Sequence, residues 1–191
     1  MYFKGVGADM SDADTLARLA RLEARIAIRE LVARYCFTVD ERDIEGLGQC
    51  FARDGVMRSV DGVMNAQGRE AVIAQFHGRF AVLGPSNHYT HDHVIEFDAN
   101  DPTRATGVLN THAEVVRNGE FLLASLRYAD TYRFEEGRWR FAERVLSFFY
   151  YARPSDLAQV MLGPDRNRAY AQPVAADYPE RSGFWQAYYG P

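Results

Sequence analysis

Cysteine is nearly absent: the 191 residues contain only Cys36 and Cys50. Both fall inside helix-like apolar patterns and read as reduced, buried thiols rather than a disulfide frame or a zinc site. A basic excess is also missing, because 22 Lys and Arg stand against 26 Asp and Glu, a net charge of -4. Without a positive field, neither nucleic acid nor an anionic membrane surface is an expected partner. No apolar run approaches the roughly 20 residues of a spanning helix. The opening MYFKGVGADMSD lacks the apolar core of a signal peptide, so a cytoplasmic location is expected. Gly-rich phosphate loops, GxSxG, HExxH and CxxC are missing too, and with them the usual signatures of nucleotide cofactors and serine hydrolases. The expected ligand is a small molecule, with no cofactor and no metal.

What is present is ordinary globular material, 47% apolar and 25% charged. A chain of this length suits one domain that buries roughly 70% of its unfolded surface. Residues 1–12 read as a flexible N-terminus. From about Ala13 to Asp40, Leu16, Leu19, Ile26, Ile28, Leu31, Val32, Tyr35 and Val39 recur at three- and four-residue steps. That spacing predicts one long amphipathic helix, or that helix broken once. A second helix opens at Asp43, a good N-cap, and stops near residues 53–55. A third runs from Gly68 to Leu83, where Gly84-Pro85 is expected to end it.

After Pro85 the texture changes to strands at 88–98, 104–117, 120–135 and 138–151, rich in Val, Phe, Tyr and Thr. Asn118-Gly119 and Glu136-Gly137 punctuate them as hairpin turns, where positive φ is needed. Helices first and an antiparallel meander afterwards predict an α+β domain over 13–153, its sheet covered on one face by the helices. The segment 154–191 holds five of the seven prolines and many aromatic residues. It is too aromatic for a solvated linker and reads as a covering lid or a subunit contact.

Three places could carry chemistry. In ARYCFTVDERD, Tyr35 and Asp40 bracket the apolar stripe of the first helix. Each is read either as a group reaching the edge of what the stripe covers or as plain core tyrosine and solvated helix-end carboxylate. In SNHYTHDHVIEF, strand alternation puts His91 and His93 on one face and His88 and Asp92 on the other. A metal held by His91, His93 and His112 is not supported, because Glu96 falls at the wrong offset. In FLLASLRYADTYRFEE, Asp130 stands in a row with Leu126, Tyr128 and Tyr132 where a hydrophobe belongs. It either pairs with an arginine of the next strand, Arg144, or lines a pocket.

These stretches, with RIAIRELVARYCFTVDERDIEGLGQCFARDGV, GREAVIAQF and YADTYRFEEGRWRFAERVLSFFYY, resemble the SnoaL-like branch of the nuclear transport factor 2-like superfamily. The resemblance implies a cystatin-like cone: a bent antiparallel sheet around the first helix, with an apolar pocket open at one end. It is nearest to cofactor-free lyases of the scytalone dehydratase, bile-acid 7α-dehydratase and hexachlorocyclohexane dehydrochlorinase types. From these it implies a catalytic dyad of His88 and Asp40, with Tyr35 as a third catalytic group. The dehydrochlorinases carry a lysine at the position of Tyr35, which points away from halide elimination. It also implies Arg144 as a pocket-lining residue, and Tyr128, Asp130 and His112 are expected to bind substrate beside it. The implied function is removal of a proton and of water from a hydrophobic cyclic, steroid-like or polyketide-like molecule, by a homotrimer or dimer. A ketosteroid-type isomerase, a polyketide cyclase, or a non-catalytic binding module like a dioxygenase β subunit are the alternatives.

Overall fold

The computed structural model describes residues 11–190. The expected flexible N-terminus, apart from its last two residues, lies outside that range. Helix α1 (Asp12–Glu41) is unbroken and starts on Ser11, whose side chain accepts from the Asp14 amide. It buries Ile28, Leu31, Val32, Tyr35, Cys36 and Val39 along one stripe. Arg42, with φ 64° in the left-handed region, ends it. Helix α2 (Ile44–Cys50) follows on its Asp43 cap.

Next comes a pair the sequence reading missed, β1 (Phe51–Ser59) and the short β2 (Asn65–Gln67). Residues 53–55 look like a turn but form an irregularity inside β1, where its register against the last strand shifts between Phe51 and Val56. Gly55 permits this, because a Cβ there would lie 2.9 Å from the Phe141 carbonyl oxygen. Helix α3 (Arg69–Phe80) stops before Leu83, and Gly84-Pro85 sit instead inside β3 (Leu83–Phe97). Proline is tolerated there because β3 is an edge strand, with no ladder partner on one side among the described residues.

Strands β4 (Arg104–Arg117), β5 (Glu120–Glu135) and β6 (Arg138–Ala152) complete the meander. Both expected hairpin turns carry paired positive φ, at Asn118 and Gly119 and at Glu136 and Gly137. The sheet order is β2-β1-β6-β5-β4-β3, antiparallel throughout except for the parallel β1–β6 pair. Register shifts in β3 and along β5–β6 add bulges, and bulges deepen the natural twist into a curve. The buried half of α1 lies in the resulting hollow, where its stripe and the inward residues of the sheet share one core.

The segment after β6 forms a 3₁₀ turn at 154–156, α4 (Leu157–Val160) and α5 (Gly183–Tyr189). It runs beside the end of β6 that β1 does not reach: the Tyr151 amide donates to Arg166, and the Arg168 amide donates to Tyr151. Among the described residues, no helix is long and apolar enough to cross a membrane.

Candidate active site

Asp40 lies one residue from the end of α1, and its carboxylate is held by three donors from the start of β3. Oδ1 lies 2.6 Å from His88 Nδ1 and accepts from Ser86 Oγ at 2.8 Å, and Oδ2 accepts from the His88 amide at 2.8 Å. Arg42 locks the junction from behind. Its guanidinium donates to Ser86 Oγ at 3.0 Å and to the carbonyls of Leu83 and Gly84. Both partners are largely buried, with side chains 12% and 13% exposed. Burial pushes the Asp40 pKa up, but the hydrogen bonds from His88 and Ser86 outweigh it and the carboxyl titrates below its ordinary value. Asp40 is therefore ionised at neutral pH. Its Oδ1 faces His88 Nδ1, so with the ring proton on Nδ1 the other ring nitrogen, Nε2, keeps its lone pair.

His88 borders an apolar slot between α1, α3 and the sheet. Tyr35, Phe76, Tyr128, Phe148 and Tyr151 line its buried part. Only Arg79, Leu83 and His88 among its wall residues are partly exposed, so they form its mouth. In this conformation the slot encloses about 30 Å³, room for a water or two. The expected open pocket is therefore filled largely by its own side chains. Burial raises the phenol pKa of Tyr35 and Tyr128, so both hydroxyls stay protonated as potential donors.

Asp130 and Arg144 do not line the slot, which corrects their expected role in binding substrate. They form a buried pair beneath it, with Arg144 Nε 2.9 Å from Oδ1 and a terminal nitrogen 2.8 Å from Oδ2. The guanidinium carbon lies 4.3 Å and 4.1 Å from the ring centroids of Tyr35 and Tyr128, so Arg144 acts on the slot through its tyrosines. Arginine pairing, the other reading of Asp130, is what the structure contains.

His112 is not in the slot either. Between Thr90 and His93 the β3 register shifts, so strict alternation fails. His88 and His93 both face the hollow, paired across from buried Ala113 and Leu109. His91 points the opposite way, where its Nε2 lies 2.8 Å from His112 Nδ1 on the outer face. His93 joins the buried pair instead, through Tyr132: Nε2 is 3.0 Å from the Tyr132 hydroxyl, which donates to Asp130 at 2.8 Å. Among the described residues, no three His, Cys, Asp or Glu side chains gather as a metal site would require.

Sequence reading missed Ser86, Arg42 and Arg79. Arg79 had a signal: it stands three residues after Phe76 on α3, which puts both on one helix face.

Fold and site together describe an α+β cone whose hollow holds a polar pair at the mouth of an apolar slot. A model of the SnoaL-like domain matches residues 20–145, and the chain belongs to that family, within the nuclear transport factor 2-like superfamily. Similar folds occur in many solved structures, among them the following three. Hexachlorocyclohexane dehydrochlorinase LinA-type3 from Novosphingobium barchaimii shares 20% identity over 71% of this chain and 92% of its own, with TM-score 0.64. A candidate scytalone dehydratase from Novosphingobium aromaticivorans shares 21% over 72% and 96%, with TM-score 0.65. An NTF2-like protein with a cystatin-like fold from the same organism shares 25% over 74% and 92%, with TM-score 0.60. No curated protein matches the sequence.

Proposed function

We propose that the protein is a cofactor-independent lyase of the dehydratase type, acting on a small hydrophobic cyclic molecule. The observation that carries this reading is the 2.6 Å contact of His88 Nδ1 with Asp40 at the mouth of an apolar slot. Asp40 fixes the tautomer, so that Nε2 takes a proton from carbon next to a carbonyl. The electrons of that C–H bond form the new double bond while the hydroxyl on the next carbon leaves as water, taking the proton held on Nε2 and returning the ring to its neutral form. Tyr35, kept protonated by burial, donates to the oxygen that gains charge. The slot is too narrow for a ring in its present conformation, so the substrate enters with rotation of the side chains that fill it.

Proton abstraction is measurable without the natural substrate. Deuterium exchange next to the carbonyl of 2-tetralone, followed by NMR, should run faster with the protein than in buffer. His88→Ala should lower it by a factor of about 10² to 10⁴ while circular dichroism stays unchanged. Exchange at the full rate in that variant, or none with the unaltered protein, removes the reading.

Assembly into a trimer or dimer is part of the same proposal. The first turns of α1 favour it, because Leu16, Leu19, Leu22 and Ile26 are 50–65% exposed there. Light scattering that reads the mass of one copy at micromolar concentration would remove that part.

A further inference from the structure

Helix α3 ends by placing a guanidinium in the wall of the slot. Arg79 follows Phe76 by three residues, and both line the cavity. The Arg79 Nε is buried with no hydrogen-bond partner. One terminal nitrogen lies 2.8 Å from the sulfur of Met64, a weak acceptor. The charge also sits 5.8 Å from the Phe76 ring. Among the described residues, no carboxylate pairs with it.

Arg140 Nε and one terminal nitrogen of Arg144 are also buried without a hydrogen bond, but the guanidiniums of the other arginines drawn into the fold each have a carboxylate or carbonyl partner. Arg144 has Asp130, Arg166 has Glu180, Arg140 has Glu135 and Glu136, and Arg42 has the carbonyls at the start of β3. The C-terminal end of α3 favours a cation in its last turn, which accounts for a positive residue but not for the unpaired Nε–H. An orphan donor on a permanent charge, set in an apolar wall, is costly unless something supplies the missing acceptor.

The charge is directed inward. Burial raises the pKa of the slot tyrosines Tyr35, Tyr128 and Tyr151, and the Arg79 charge opposes that rise at all three. Arg79 also lines the same slot as His88. The single planar guanidinium matches a carboxylate, which it can engage with two parallel hydrogen bonds. A phosphate dianion would call for more positive charge than this wall contains.

We infer that the ligand of the slot is a cyclic carboxylate, and that Arg79 binds its carboxylate at the mouth while the ring enters the apolar interior. The inference rests on the reading of the slot as a substrate site and specifies the class of molecule that enters it.

The test compares 2-naphthoate with its uncharged counterpart 2-naphthamide by isothermal titration calorimetry. The unaltered protein should prefer the naphthoate by about 10-fold or more, the scale of a charge-assisted hydrogen bond. Arg79→Met should reduce the preference to within about 2-fold, Arg79→Lys should keep part of it, and thermal melting should show both variants folded. Equal affinities in the unaltered protein, binding of neither compound, or a preference that survives Arg79→Met overturns the inference. The two proposals fail separately. Carboxylate preference without 2-tetralone exchange removes the lyase chemistry alone, and exchange without preference removes the carboxylate site alone.

Discussion

Asp130 and Arg144 are each 0% exposed at the side chain, which makes their pair the most demanding electrostatic arrangement in the fold. Burial works against the Arg144 charge, but the Asp130 carboxylate overrides it and holds the guanidinium protonated. Such a pair returns about what its desolvation costs, so its presence says little about net stability. Removing one member is different, because the survivor is left charged without a partner, at about 3–5 kcal/mol. Asp130→Ala should lose that much in urea unfolding, and adding Arg144→Met should recover part of the loss. A single-variant loss below about 1 kcal/mol would mean that water reaches the pair, since that is the range of exposed ion pairs. The sequence exposed half of this arrangement. A carboxylate in the middle of an apolar alternation signals a partner, but whether it met an arginine or a ligand depended on which strand became its neighbour.

At the scale of elements, the long regular segments were legible and the irregular ones were not. The 3.6-residue stripe of α1, the Asp43 cap and the two hairpin turns state their geometry in side-chain chemistry that acts locally. The ends of α3 and the whole of β1 do not, because their reasons lie elsewhere in the chain. Gly84-Pro85 reads as a helix stop but is acceptable in a strand once that strand is at an edge. Arg53, Asp54 and Gly55 read as a turn, yet they fit a strand irregularity because Arg133 reaches Asp54 and the glycine clears Phe141.

The bulge in β3 matters most for the site, since one extra residue sends His91 outward and His93 inward and separates a pair that simple alternation unites. Gly107 shows the same dependence on a neighbour. A Cβ there would lie 2.9 Å from both His93 Nε2 and the Tyr132 ring, so glycine in mid-strand makes room for that contact. The expected pairing of His88 with Asp40 came from the family resemblance, because nothing in local spacing brings residue 88 to residue 40.

Across the whole molecule, the segment after β6 lies outside the family match yet holds a wall of the slot. Phe148 and Tyr151 line the cavity, and both are fastened from behind. Asp177 accepts from the Phe148 amide at 2.7 Å, and the Tyr151 amide donates to Arg166. Among the described residues, no side chain beyond Tyr151 lines the slot itself, so the segment acts on it through β6. Arg166 is its anchor: the side chain, 4% exposed, makes two 2.7 Å contacts to Glu180 and donates to the carbonyls of Phe149, Gly163 and Tyr178. Arg166→Ala leaves several of those acceptors without a donor and should cost about 2 kcal/mol, the scale of hydrogen bonds to a charged group. The loss should fall on local unfolding before global unfolding, because the core of α1 and the sheet does not depend on this contact. Limited proteolysis should therefore cut the variant within 154–190 much faster than the unaltered protein and leave a core ending near Ala152. Equal cleavage rates, or cuts spread through β3–β5, would show instead that the segment and the cone unfold as one unit.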